Sequence, residues 1–77
     1  MDPDLCCSSI KVALKQMRLD AQMTQKQLAT RLNKPQSFVS KYENGSREIE
    51  FVTVYYICKA LGKSLQEFQD ILESYIQ

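Results

Sequence analysis

Apolar positions recur at helical spacing along almost the whole chain. In the first stretch, the i, i+3, i+4 and i+7 positions of one buried stripe are occupied by Ile10, Ala13, Leu14 and Met17. A serine before such a stripe can cap the helix, because its hydroxyl accepts a hydrogen bond from a free backbone N–H group. The pattern therefore predicts a first helix that starts at Ser8 or Ser9 and ends between residues 20 and 22.

Two short amphipathic helices follow, and they are joined unusually tightly. Thr24 can cap the second helix, which places Leu28, Ala29 and Leu32 inward and leaves Gln25 on its polar side. A third pattern begins only three or four residues later. Helices joined through so short an extended turn cross steeply instead of lying side by side, as in a helix-turn-helix unit.

The third helix is predicted to start at residue 35 or 36 and to end at Asn44. Asn33 tolerates the left-handed backbone that ends the preceding helix. Pro35 biases the residue before it away from helical angles, while its own fixed φ suits the start of a helix. Gly45 supplies the C-terminal stop.

Two further helices are predicted in the C-terminal third. Residues 51–61, FVTVYYICKAL, are apolar at nine of eleven positions, so a helix there must be covered on more than one side. Gly62 closes this helix, and Ser64 with Glu67 has the Ser-x-x-Glu form of a capping box that opens a fifth. Since no strand pattern occurs, the sequence predicts an all-α, compact five-helix domain.

Length and cysteine content restrict the class of protein. At 77 residues the chain forms one domain, predicted over residues 8–77 behind a flexible acidic tail at residues 1–7. Three cysteines, two of them adjacent, indicate a reducing cytoplasm and not a disulfide framework. Without histidine or a Cys-x-x-Cys pair, we expect no metal, no cofactor and no enzymatic activity. No apolar run approaches the roughly 20 residues of a membrane span.

Charge is divided unevenly along the sequence. Residues 8–47 hold eight basic and two acidic side chains, a net charge of +6, whereas residues 48–77 have a net charge of −3. A basic half of this size suits a polyanion, although ordinary solvated helices carry charges as well. The basic half is also the half that contains the two tightly joined helices.

Polar side chains at the starts of these two helices suit contacts with DNA. In a helix-turn-helix unit, the second helix enters the major groove with its first turn while the first helix crosses the backbone. Gln36 can pair with adenine, Ser37 with several bases, and Lys41 with guanine or a phosphate. Gln25 can bridge a phosphate and the Gln36 amide. These residues predict sequence-specific binding to double-stranded DNA.

Several spaced motifs occur together between residues 9 and 69. They are Arg18, Met23-Thr24-Gln25, Leu28-Ala29, Pro35-Gln36-Ser37, the run VSKYENG at residues 39–45, and Ala60-Leu61-Gly62. With them the sequence resembles the helix-turn-helix domain of phage repressors and Cro proteins, also called the xenobiotic-response-element type. The resemblance implies a lambda-repressor-like fold of five helices, with the helix-turn-helix as helices 2 and 3. It also implies transcriptional control by a small homodimeric repressor or autoregulator on an operator with two half-sites.

The resemblance assigns roles to matching positions. The base-reading residues are Gln36, Ser37 and Lys41, and the phosphate-contacting residues are Gln25, Ser40, Asn44 and Arg47, with the minor groove as an alternative for Arg47. Arg18 and Glu43 form a structural ion pair between the first helix and the recognition helix. The chain departs from the family at Gln22 and Asn33, where glycine is usual, and at Pro35, where serine or threonine usually caps the helix.

The outer face of residues 51–61 is too apolar to be left open to water in a small domain. We therefore predict a two-fold dimer interface within residues 51–77, which sets two recognition helices about 34 Å apart, one turn of DNA. Its residues are Val52, Tyr56, Ile57, Ile71, Tyr75 and Ile76. Two alternatives stay open. Val52, Tyr56 and Ile57 could instead fill the intramolecular core, or the C-terminal helices could bind another protein, as in an antitoxin or co-regulator.

Overall fold

The computed structural model describes the backbone of residues 3–76 and the side chains of residues 9–76, and it contains five α-helices. They are α1 (Pro3–Asp20), α2 (Gln25–Arg31), α3 (Gln36–Asn44), α4 (Phe51–Ala60) and α5 (Leu65–Ile76). The prediction of an all-α, five-helix fold is confirmed. Within residues 3–76, each helix is too short or too polar to cross a lipid bilayer.

The first helix begins earlier than the sequence suggested. Its backbone is helical from Pro3, so the predicted start at Ser8 or Ser9 is wrong. Proline suits the first position of a helix, because its φ is already helical and its missing N–H group would have no partner there. Residues 3–7 of the expected tail thus belong to α1. Residues 1 and 2 and the side chains of Cys6 and Cys7 lie outside the described part, and the mobility of this segment stays a prediction.

Each of α1 to α4 is followed by a residue with a left-handed backbone. Gly45 and Gly62 adopt φ of 85° and 72° without strain, whereas Gln22 and Asn33 adopt 59° and 58° although they carry a Cβ atom. This conformation costs a non-glycine residue roughly 1–2 kcal/mol. Backbone hydrogen bonds of 2.9 and 3.1 Å close the end of α1 at Gln22 in the Schellman arrangement. Gln22 and Asn33 therefore each form a left-handed turn that glycine would form with less strain.

The apolar core is built by the first four helices and by the residue that follows α4. Its buried members are Ala13, Leu14, Met17, Leu28, Ala29, Val39, Tyr42, Val54, Ile57, Cys58 and Leu61. Helix α5 has no fully buried residue and packs Leu65, Phe68 and Ile71 against this core. Helix α1 contacts α3 and α5, and α2 contacts α3 and α4. Since α3 is held by both α1 and α2, its outer side is left at the molecular surface.

The starts of α2 and α3 are capped differently. Thr24 Oγ1 accepts from the Gln27 N–H group at 3.0 Å, and Gln27 Oε1 accepts from the Thr24 N–H group at 2.8 Å, which forms a full capping box. Pro35 is the N-cap of α3 and makes no side-chain hydrogen bond. The first turn of α3 therefore starts without a capping side chain, at the positive end of the helix dipole.

The hydroxyl of Tyr42 lies in the core without a hydrogen-bond partner among the described residues. Burial raises the pKa of Tyr42, and the Glu43 charge acts in the same direction. Because an unpaired buried hydroxyl lowers stability, we expect Tyr42→Phe to raise the free energy of unfolding by about 1 kcal/mol in urea denaturation. A loss of stability in Tyr42→Phe would instead indicate a hydroxyl bonded to internal water.

Candidate nucleic-acid interface

The predicted reading helix lies at the surface. Gln36, Ser37 and Lys41 are exposed on α3, and Ser40 is half-buried. The opposite side of the same helix is buried in the core. Helix α3 therefore presents a polar row to solvent from a position that its apolar side fixes.

A buried ion pair fixes α3 to α1. Arg18 Nε and Nη2 donate to the two carboxylate oxygens of Glu43 at 2.8 and 3.0 Å, and Arg18 Nη1 donates to the Met23 carbonyl at 2.8 Å. The side chains of the pair are only 8% and 4% exposed. The hydrogen bond with Glu43 raises the pKa of Arg18, and burial opposes that rise less strongly. The pair therefore fixes α3 to α1, and both charged groups are shielded from solvent.

Gln25 belongs to the same network. Its Nε2 donates to Glu43 Oε1 at 3.0 Å, so the structure places this amide on Glu43 and not on Gln36. The carboxylate of Glu43 thus accepts three hydrogen bonds and joins α1, α2 and α3 at one point. A phosphate contact by Gln25 stays a prediction, since Nε2 carries a second hydrogen that can donate.

Two cations lie over one aromatic ring of α3. The guanidinium carbon of Arg47 is 4.7 Å and Lys34 Nζ is 5.7 Å from the ring centre of Phe38. That ring meets Tyr42 edge-to-face at 6.0 Å, which anchors it on the core. Stacking holds a guanidinium while its in-plane N–H groups stay available for a phosphate. From the sequence, a role was assigned to Arg47 but none to Lys34 or Phe38. The four-residue separation of that lysine and that phenylalanine is the signal that could have indicated their contact.

The turn after α3 carries further donors. Asn44 Oδ1 accepts a hydrogen bond from the Ser46 N–H group at 2.8 Å. The Nδ2 group of the same side chain is left free of this bond, and as a donor it can bind a phosphate oxygen. Gly45 follows at φ 85°, and a Cβ atom there would lie 2.6 Å from Lys11 Nζ. The turn thus brings a lysine of α1, which sequence reasoning did not assign, beside the C-terminus of α3.

The predicted dimer surface is partly open to solvent. Val52 and Tyr56, one turn apart on α4, are 51% and 58% exposed, and Tyr75 on α5 is also exposed. Ile71 and Ile76 are half-buried. The alternative in which these α4 residues fill the intramolecular core is therefore wrong for Val52 and Tyr56.

The assignment of Ile57 to this surface is wrong. Its side chain is 0% exposed, because α4 directs Val54, Ile57 and Cys58 into the core. Phe51 and Tyr55 are exposed in its place, at 74% and 39%. One side of α4 therefore completes the core, and the other carries an apolar surface with four large side chains.

Comparison with known proteins agrees with this geometry. A family model described as helix-turn-helix matches residues 14–68, more than half of the chain. The solved restriction-modification controller protein C.Esp1396I, in its wild-type form, is 30% identical, with a TM-score of 0.88 over 92% of this chain and 93% of that chain. An XRE-family like protein from Pseudomonas syringae pv. tomato str. DC3000 is 34% identical, with a TM-score of 0.83 over 92% of this chain and 87% of that chain. The comparison with curated proteins gave no significant match.

Two further structures extend the comparison. C.Esp1396I has been solved as a tetramer in complex with its natural 35 base-pair operator, and that chain matches with a TM-score of 0.86 at 30% identity, over 92% of this chain and 93% of that one. The clp gene regulator ClgR from C. glutamicum has a TM-score of 0.84 at 22% identity, over 94% of both chains, which supports the fold alone. The chain therefore belongs to the helix-turn-helix family of the phage repressor and Cro type, and it is a DNA-binding transcription regulator.

Proposed function

We propose that the protein is a small dimeric repressor or autoregulator that reads an operator with two half-sites through the first turn of α3. The observation that supports this most strongly is the exposed row of Gln36, Ser37 and Lys41 on a helix fixed by the Arg18–Glu43 pair. Readout of base edges requires donors and acceptors that are held in place before binding. Here the side chains face solvent while the buried pair and the core hold the backbone that carries them.

We propose that contacts with phosphates beside α3 set its register in the groove. Gln25, Ser40, Asn44 and Arg47 have this role, and the minor groove is the alternative site for Arg47. Its stacking on Phe38 supports a phosphate contact, because it lowers the side-chain freedom that is lost on binding. Such contacts add affinity for every sequence and do not select bases.

We propose that the dimer forms through residues 51–77, with Val52, Tyr56, Ile71, Tyr75 and Ile76 in the interface. Large exposed apolar side chains on one face of a small domain are typical of a surface that another chain covers. The tetramer of C.Esp1396I on its operator supports assembly of this fold on DNA. Each half-site of the operator would then bind one copy of α3.

The same apolar face fits a second candidate function, an adaptor such as an antitoxin or co-regulator. In that case the C-terminal helices bind a different protein, and operator binding is weak or secondary. Sedimentation velocity of the isolated protein at micromolar concentration separates the two. A dimer supports the repressor, whereas a monomer with native helicity supports the adaptor.

We further propose that the protein has no catalytic activity and acts in the cytoplasm. The chain has no histidine, and its buried ion pair is engaged in joining three helices. A regulator of this class must also share a compartment with the DNA that it reads. The DNA-binding assignment supports both statements.

Replacing Gln36 and Arg47 by alanine should affect DNA binding in two different ways. With an operator selected from a random duplex pool, Gln36→Ala should reduce discrimination at one base position by about 1–3 kcal/mol, because a bidentate amide contact is lost. Arg47→Ala should weaken binding to every sequence and reduce the salt slope by about 1, because a phosphate contact is lost. Fluorescence anisotropy at several salt concentrations measures both effects.

The matched control for these variants is Gln69→Ala, which removes an exposed amide from α5. It should bind operator and random DNA as the wild type does. If the two variants behave alike, so that Gln36→Ala weakens operator and random DNA in the same way as Arg47→Ala does, the assignment of base-reading and phosphate-contacting residues is wrong.

A further inference from the structure

Among the described residues, one side-chain hydrogen bond joins the helix-turn-helix to α4. Arg31, the last residue of α2, donates from Nη1 to the carbonyl oxygen of Ala60, the last residue of α4, at 3.0 Å. The last carbonyls of a helix lack partners within the helix. Those of Ile57, Cys58 and Lys59 accept from backbone N–H groups in the turn, and Arg31 supplies the partner for Ala60.

The charge of Arg31 suits this position. The C-terminus of a helix carries a partial negative charge, so a guanidinium there is attracted to the helix end as well as hydrogen-bonded to it. The remaining contact between α2 and α4 passes through the shared apolar core. Apolar contact has no preferred direction, whereas a hydrogen bond has one. Arg31 is exposed, and its hydrogen bond is the directional side-chain contact between these two helices among the described residues.

The angle between α2 and α4 determines how the proposed reading helix, α3, lies relative to the proposed dimer surface on α4. Helix α2 packs on α3, which carries the reading residues, and α4 carries Val52 and Tyr56 of the proposed dimer face. In a dimer with half-sites about 34 Å apart, each reading helix is ~17 Å from the two-fold axis. At that distance a rotation of about 5° moves the reading residues by ~1.5 Å along the DNA, about half of one base-pair step.

We propose that Arg31 is a positioning residue that sets which half-site spacing the dimer accepts, by holding α2 and α3 at a fixed angle to α4. This inference depends on the proposed dimeric function. It assigns Arg31 no contact with DNA. Loss of its hydrogen bond should therefore relax the choice of spacing while recognition within each half-site is retained.

The test compares Arg31→Met, which keeps an unbranched apolar stem and removes the donors, with the wild-type chain. Duplexes carry the selected operator with its natural spacing, or with one or two base pairs inserted between the half-sites. For the wild type, the dissociation constant should be larger for an operator with inserted base pairs than for the natural operator. We expect the ratio of the two constants to fall roughly fivefold in Arg31→Met, a change of the size that the loss of one hydrogen bond produces. Sedimentation should show the same dimer as in the wild type, and Arg31→Lys, which keeps a cationic donor, should restore part of the ratio.

The matched control is Lys26→Met, which removes the same charge from an exposed position on α2. It should weaken all duplexes alike and leave the spacing ratio at the wild-type value. An unchanged ratio in Arg31→Met, or an equal fall in Lys26→Met, would overturn the role of Arg31 alone. If the wild-type chain itself shows no preference between spacings, the dimeric reading of two half-sites fails, and this inference fails with it.

Discussion

Replacing Glu43 by alanine is expected to lower the free energy of unfolding by about 3–5 kcal/mol, because it leaves the charge of Arg18 buried without its counter-ion. Arg18 would keep its hydrogen bond to the Met23 carbonyl, but Nε and Nη2 would lose their acceptors. At 0.05–0.15 kcal/mol per residue, a domain of this length has only about 4–12 kcal/mol of stability. The variant should therefore lose much of its helical signal at moderate temperature, as circular dichroism with urea denaturation can measure.

Two controls separate the buried pair from a general effect of charge. Glu67→Ala breaks an exposed pair with Lys63, whose atoms are 3.9 Å apart, and should cost less than about 1 kcal/mol. The double variant Arg18→Met/Glu43→Leu removes both charges, so it should recover most of the loss in Glu43→Ala. A cost below about 1 kcal/mol in Glu43→Ala would contradict a structural role for the pair.

The Tyr56→Glu variant is expected to abolish the dimer and to reduce affinity for the full operator at least about 100-fold. A carboxylate placed in an apolar interface loses its water without gaining a partner. The monomer should still fold, because Tyr56 is 58% exposed and outside the core. Linking two half-sites makes the second binding event intramolecular, so a monomer loses that advantage.

The effect of Tyr56→Glu is measured by sedimentation velocity and by anisotropy with duplexes that carry one or two half-sites. Affinity for a single half-site should stay near that of the wild type. Leu19→Glu puts the same charge in place of another exposed apolar side chain, one that is 50% exposed on α1, and should leave the dimer intact. A dimeric Tyr56→Glu variant with unchanged operator affinity would contradict the proposed interface on α4.

The parts of the fold that the sequence predicted well depend on local signals. The boundaries of α2 and α3 follow from Thr24, Pro35 and Gly45, whose effects reach only a few residues along the chain. The early start of α1 was missed because serine caps were expected, although Pro3 is itself a favourable first residue. The left-handed backbone of Gln22 was also missed, because glutamine alone disfavours this conformation, which the backbone hydrogen bonds at the end of α1 hold in place.

The candidate site could be predicted from the sequence only where each residue acts through its own helix. The exposure of Gln36, Ser37 and Lys41 follows from the polar side of α3. By contrast, the bond from Gln25 to Glu43 depends on how α2 crosses α3, which the one-dimensional pattern does not contain. Burial of Ile57 likewise depends on which side of an almost wholly apolar helix faces the core. Periodicity cannot choose that side when both sides are apolar.

The central claim is that the first turn of α3 reads base pairs, and nuclear magnetic resonance tests it most directly. Uniformly ¹⁵N-labelled protein is titrated with the selected operator and, separately, with a duplex of scrambled sequence. We expect the signals of the Gln36 side-chain amide and of the backbone N–H groups of residues 36–41 to shift more with the operator than with the scrambled duplex. If these signals respond alike to both duplexes, or if the operator-specific shifts fall on α5 while α3 is unchanged, the claim is contradicted.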